Sequence, residues 1–245
     1  MRAPDPRTIL RSYGVAWAYL IGFMITEIVC SLLSPRDLNI LTVWASTSVH
    51  NLTYDPLGSL VASAFIAQGY WVAWPFLIAL ALFGANKVLG NWRTALVCVT
   101  GQVIGSLVSE GIVGYRVSRG LLPAADRFLV DVGPSYVVVA AIVVAVLYGS
   151  WLARAAAALD LVLLVAVGNI FGGLSQLAVS AVGHATALAI GVVGGSFMVW
   201  QLRRAPALRE NLPGLGGGTD LPGPPGTEPA GPGPEPAGPG PAGPG

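Results

Sequence analysis

The stretch SYVVVAAIVVAVLYGSWL, residues 135–152, decides the fold. It carries no charge over eighteen residues, which at about 1.5 Å per residue nearly spans a hydrocarbon core of about 30 Å. Lipid cannot hydrogen-bond a polar backbone, so a run of this kind crosses as an α-helix. Comparable runs lie on either side, at 15–33, 71–89, 95–113, 159–179 and 184–202. Together they predict an all-α membrane protein whose chain crosses the bilayer six times. Composition agrees. The 245 residues are 54% hydrophobic and 10% charged with a mean hydropathy of +0.69, against about 25% charged in a soluble domain. A soluble helical core would require a polar face on each helix, and these runs have none.

The first two runs are separated by a long segment, 34–70, whose apolar part at 56–67 is too short to cross. Pro56 suits a first helical turn, where its missing N–H costs nothing. The expectation for this segment is an interfacial or re-entrant helix on the outer side. Charge placement sets that side, because cationic residues prefer the cytosolic ends of spans. With the N-terminus inside, the inner side collects Arg2, Arg7, Arg11, Lys87, Arg93, Arg154, Arg203, Arg204 and Arg209. The outer side has Arg36, Arg116, Arg119 and Arg127, with Asp126 and Asp131 beside the last three. Both termini are therefore expected in the cytosol, with the plasma membrane as the location.

Thirteen Lys and Arg against twelve Asp and Glu leave a net charge of +1, so no field of one sign points to nucleic acid. Cys30 and Cys98 lie inside separate runs and give neither a disulfide framework nor clustered metal ligands. The basic flank at the N-terminus precedes a run too long for a signal-peptide core, and that run is read as the first span. The domain reading is a cytosolic N-terminus at 1–14, a six-span membrane domain at 15–204 and a tail at 205–245. From Asn211 onward the tail is Pro, Gly, Ala and Glu in near-repeats such as EPAGPGP. It has almost nothing to bury and is expected to be disordered.

Polar residues inside spans are costly and mark functional candidates. In the proposed topology the fourth and sixth runs both enter from outside, which puts Ser135 and His184 at one depth. A serine hydroxyl becomes a nucleophile when a base within hydrogen-bond reach takes its proton, and a neutral imidazole can do so near pH 7. Gly133 and Pro134 make a tight entry into the helix headed by Ser135, whose N-terminal dipole favours a developing oxyanion. Ala187 and Gly191 recur on the His184 face, with Gly194 and Gly195 following, and small residues at that spacing let helices approach closely.

Gly133-Pro134-Ser135 at the head of the fourth run, and Gly183-His184 with Ala187 and Gly191 at the head of the sixth, resemble the catalytic signature of the rhomboid superfamily. The LGNWR stretch at 89–93 is similar to the inner end of the rhomboid second span. The resemblance covers most of 15–202. It implies a six-span rhomboid-like bundle and an intramembrane serine protease that cleaves transmembrane segments through a Ser135–His184 dyad, with no cofactor or metal. Rhomboids usually place a histidine and an asparagine on the second span to help form the oxyanion hole. Residues 71–83 contain neither, so His50 and Asn51 in STSVHNL are the candidates to supply them by folding back, with Gly133 as a further support; the plainer reading of His50 and Asn51 is a loop and helix-cap pair. Tyr136 stands where the signature has a glycine, Val139 where the family carries an aromatic, and Pro134 brings no N–H.

The partners implied are transmembrane segments of other proteins and the bilayer itself. A rhomboid-like module that binds membrane segments without cutting them is the alternative, marked by missing oxyanion donors. A transporter using Glu27 and Glu110 as coupling carboxylates is a third reading, without an inverted repeat to support it. Otherwise Glu27 and Glu110 are expected in structural hydrogen bonds, and Asn86, Gln102, Asn169 and Gln176 in interhelical ones. Trp44, Trp71, Trp74 and Trp200 read as interface anchors.

Overall fold

The computed structural model describes residues 12–67 and 71–210, and these form helices and no strand. The chain divides into units 1–204 and 205–245, and the packing described here belongs to the first. The tail from Asn211 and the first cationic flank lie outside the described residues, while 205–210, counted with the tail, continue the last helix. Among the described residues nine α-helices follow one another: α1 (Gly14–Leu32), α2 (Pro35–Ala45), α3 (Val49–Tyr54), α4 (Pro56–Ser63), α5 (Trp74–Leu89), α6 (Asn91–Ser118), α7 (Ser135–Tyr148), α8 (Trp151–Ala166) and α9 (Val179–Glu210). Short 3-10 turns at Trp71–Ala73, Ala124–Phe128 and Leu174–Gln176 join some of them.

The stretch that decides the fold is also its centre. Every residue of α7 from Tyr136 to Ala145 is buried, so this helix has no face left for lipid. It packs against α5, α6 and α8, and against α9 at Gly191 and Gly195. Glycine makes these contacts close. A Cβ at Gly84 of α5 would stand 2.8 Å from the Ala145 Cβ, one at Gly101 of α6 would stand 2.6 Å from the Ala140 Cβ, and one at Gly191 would stand 2.6 Å from the Ala140 carbonyl oxygen. The bundle is thus held by backbone-to-backbone approach, as expected where lipid gives no hydrophobic drive between helices.

Among the described residues three helices, α1, α6 and α9, are long and apolar enough to cross a membrane, while α5 and α7 are apolar but shorter. The run expected at 15–33 is α1, shifted by one residue, and the third run is extended at both ends into α6. Two boundaries are corrected. Gly149 and Ser150 end α7 at Tyr148 instead of 152, and the fifth helix occupies Trp151–Ala166 instead of 159–179. Beyond it the chain turns repeatedly, with Asn169 at φ 50°, Gly173 at φ 76° and Leu177 at φ 59°. Average hydropathy does not register this, because glycine at 168, 172 and 173 leaves the run apolar while favouring turns over helix. Asn169 is an exposed loop residue, and the Gln176 carbonyl accepts from Arg116 at 3.0 Å instead of joining two helices by its side chain.

The segment between the first two runs becomes three short helices. Ser34 caps α2 and Asp55 caps α4, each with proline at the start. After α4 the chain turns back onto α1: the Tyr19 hydroxyl donates to the Ala64 carbonyl at 2.5 Å, Phe65 packs on Tyr19, and the Ala67 N–H donates to Glu27 Oε1 at 2.6 Å. The opposite end of α1 is tied to the α5–α6 turn, where Asn86 Nδ2 donates to the Ser12 carbonyl at 2.7 Å.

Candidate functional site

Ser135 is the first residue of α7, and the chain reaches it through a conformation that only glycine adopts easily. Gly133 has φ +151°, and its N–H donates to the Ser63 carbonyl at 2.8 Å. Residues 46–48 hold the strand of chain just before it. The Thr47 N–H donates to the Asp131 carbonyl at 2.9 Å, and the Asp131 N–H donates to Ser46 Oγ at 2.9 Å. The α2–α3 connection is thereby fastened beside the head of α7. Ser135 opens into a crevice lined also by Thr47, Ser63, Gln102, Asp131 and Tyr136. The crevice has no room for a water molecule. Within it Gln102 Nε2 donates to Ser63 Oγ at 3.0 Å, while Gln102 Oε1 is buried with no hydrogen-bond partner among the described residues.

His184 lies in the second turn of α9 and is buried. Its Nδ1 is 2.9 Å from the Ile170 carbonyl. A carbonyl only accepts, so Nδ1 carries the proton and Nε2 is left with a lone pair. Nε2 is buried and has no hydrogen-bond partner among the described residues. Tyr136, which follows Ser135 in the chain, touches the imidazole. Its ring meets the imidazole edge-on, with centroids 4.9 Å apart and planes at 79°. Its hydroxyl donates to Asp131 Oδ2 at 2.9 Å, and its ring lies against Gly183, where a Cβ would collide with it. Burial raises the Asp131 carboxyl above its ordinary range, and the bonds from Tyr136 and Thr47 oppose that rise.

The two residues expected to form a dyad therefore sit at the same end of adjacent helices and are linked through Tyr136, with no direct Ser135–His184 hydrogen bond. The other candidates divide differently. Asn51 Nδ2 donates to the carbonyls of Val43, Trp44 and Ser46 at 2.7, 3.1 and 2.9 Å, which caps the C-terminus of α2. His50 packs its ring on Tyr54 and Phe128, with centroids 4.7 and 4.8 Å away. Neither lines the crevice, and the Gly133 N–H is engaged by Ser63. Glu27 holds a structural hydrogen bond, as expected. Glu110 is buried with both carboxylate oxygens unpartnered among the described residues.

Thr47, Ser63, Asp131 and Tyr136 line the site without having been singled out for it, and Gln102 was read only as an interhelical bond. The sequence did hold one signal for Tyr136: a large ring directly after the serine at a helix-packing position must displace something, and here it fills the space beside Gly183. Thr47 and Ser63 carried none, because their placement depends on how the outer segment folds back.

A family model described as Rhomboid-like protein matches residues 8–200, and the chain belongs to that family. No curated protein and no solved structure matches it.

Proposed function

We propose that the chain is an intramembrane serine endopeptidase of the rhomboid-like family, crossing the bilayer six times with both termini in the cytosol, with Ser135 as nucleophile and His184 as general base. One observation carries this reading. The imidazole is fixed by its Nδ1 contact to Ile170 and offers an unpartnered Nε2 beside the helix that Ser135 heads. In the reaction, Nε2 takes the Ser135 proton as Oγ attacks the scissile carbonyl, and then returns it to the leaving amine. Water repeats the sequence on the acyl-enzyme. The first-turn N–H groups of α7 have no intrahelical partner and point where an oxyanion would form. The Gln102 amide at the crevice wall is the side-chain donor nearest in kind to the one the family keeps on its second span.

The crevice around Ser135 is too narrow for a water molecule, so a substrate strand enters only after the Ser63 and Thr47 walls separate and the Tyr136 ring shifts from the imidazole. A binding module without proteolysis is the second reading. It is favoured by the missing Ser135–His184 bond and by the engagement of the Gly133 and Asn51 donors elsewhere.

The deciding experiment reconstitutes the protein with model transmembrane substrates. Ser135→Ala, His184→Ala and the double variant should each abolish cleavage to a similar extent, because the two side chains act as one unit. A serine-directed covalent probe should label the parent and not Ser135→Ala. Cleavage that survives Ser135→Ala, or binding of membrane segments with no cleavage or labelling by the parent, transfers the assignment to the binding module.

A further inference from the structure

At the end of the bundle away from Ser135, the ends of α5, α7 and α9 and the start of α8 enclose an open cleft of about 420 Å³. Its walls combine two kinds of surface. Lys87 and Arg203 bring two positive charges, and no carboxylate among the described residues lines the cleft. Neither cation has an ion-pair or hydrogen-bond partner among the described residues. Ser150 lines the same cleft as the N-cap of α8 but makes no side-chain bond to that helix, so its hydroxyl and the first N–H groups of the helix remain open to an acceptor. Val88, Val199 and Leu202 form the apolar remainder.

The surroundings give the depth of the cleft. Trp92 at the start of α6, Trp151 at the start of α8 and Trp200 on α9 are 61%, 80% and 47% exposed. Tryptophan collects at headgroup level, where one part of the ring is wet and the other is in lipid. Arg204 lies 4.0 Å over the Trp200 ring, which keeps that charge at the same level. A cleft with paired cations, unengaged donors and an apolar wall, set within a tryptophan belt, matches a molecule with a phosphate at one end and hydrocarbon at the other.

We infer that this cleft binds a phosphate group, presented by an anionic phospholipid of the leaflet at the Lys87 end, with the phosphate between Lys87, Arg203 and Ser150 and an acyl chain along Val199 and Leu202. The inference does not depend on Ser135 being catalytic. Binding here clips α5, α7, α8 and α9 together at the end remote from the serine, so the lipid stabilises the bundle.

The test uses full-length protein in nanodiscs of phosphatidylcholine with and without phosphatidylglycerol, read by native mass spectrometry for retained lipid and by thermal unfolding. The parent should retain phosphatidylglycerol preferentially and unfold at a higher temperature with it. At about fivefold per cation, Lys87→Gln with Arg203→Gln should cut the preference about twenty-fivefold. Arg119→Gln, at the other end, should leave it intact. Inorganic phosphate added to phosphatidylcholine discs separates the sources: a shift as large as that of the lipid, abolished by the same pair of substitutions, assigns the site to soluble phosphate instead. Equal retention of both lipids by the parent, or a preference that the double variant keeps, overturns the inference. If the double variant does not fold, Lys87→Gln alone should still lose about fivefold.

Discussion

At the scale of single residues, the head of α7 is organised by what Gln102 and Tyr136 do to the space around Ser135. Gln102 is buried, donates to Ser63, and keeps an unpartnered carbonyl oxygen at the crevice. Ser63 in turn accepts from Gly133 through its backbone. If the second proton of the Gln102 amide supports the oxyanion, Gln102→Leu should lower kcat about a hundredfold with KM little changed. A purely structural amide would instead shift the unfolding temperature and leave the kcat of the folded fraction unaltered. Measuring both on one variant separates the two. The dyad candidates themselves were legible because a serine and a histidine stand at the heads of two apolar runs that enter from the same side. Their relation was not, since Tyr136 is only one apolar ring among many until α9 brings Gly183 against it. Asn51 had two readings open to it, oxyanion donor and helix cap, and the cap is the one it takes. An amide near a helix end caps that end when three carbonyls converge on it, and convergence of carbonyls is a property of the fold.

At the scale of elements, glycine sets where α9 and α6 meet α7, and with it where His184 is held. Gly191 faces the Ala140 backbone so closely that an added Cβ would stand 2.6 Å from its carbonyl oxygen, whereas Gly111 on α6 faces open space. A backbone oxygen cannot swing aside as a side chain can, so Gly191→Ala forces α9 away from α7 and should cost about 1–3 kcal/mol. Gly111→Ala should be neutral or stabilising by up to about 1 kcal/mol, because it removes unfolded-state freedom at a position with room. Unfolding of the two variants in the same detergent is the measurement, and equal stabilities would mean that the close contact is not what holds the helices. These helices were readable from their apolar length, and their ends were not. The fifth run shows why. Its hydropathy continues to 179, but the backbone takes left-handed turns at Asn169, Gly173 and Leu177 that a hydropathy average does not register. Likewise, Gly149 and Ser150 form a two-residue break that stops α7 four residues early.

For the whole molecule, the distribution of charge argues for one orientation. The end that gathers the start of α1, the α5–α6 turn, the α7–α8 turn and the last turns of α9 carries Lys87, Arg93, Arg154, Arg203 and Arg204 among the described residues. The other end mixes Arg36, Arg116, Arg119 and Arg127 with Asp37, Asp55, Asp126 and Asp131. Insertion follows the cations near span ends and gives acidic residues little weight, so the decisive contrast is five cations in short turns against four spread over longer connections. In the proposed orientation the Lys87 end lies in the cytosol and the Ser135 crevice at the outer surface, beside water. Native cysteines make this orientation measurable. Cys30 and Cys98 are free and buried, so an impermeant thiol reagent should ignore the parent protein in intact cells. Ala124 and Ser150 are both exposed, at opposite ends. Ala124→Cys should be labelled from outside, and Ser150→Cys should be labelled only after the membrane is opened. Labelling of Ser150→Cys in intact cells would invert the molecule, put the crevice in the cytosol, and restrict its substrates to segments presented from that side.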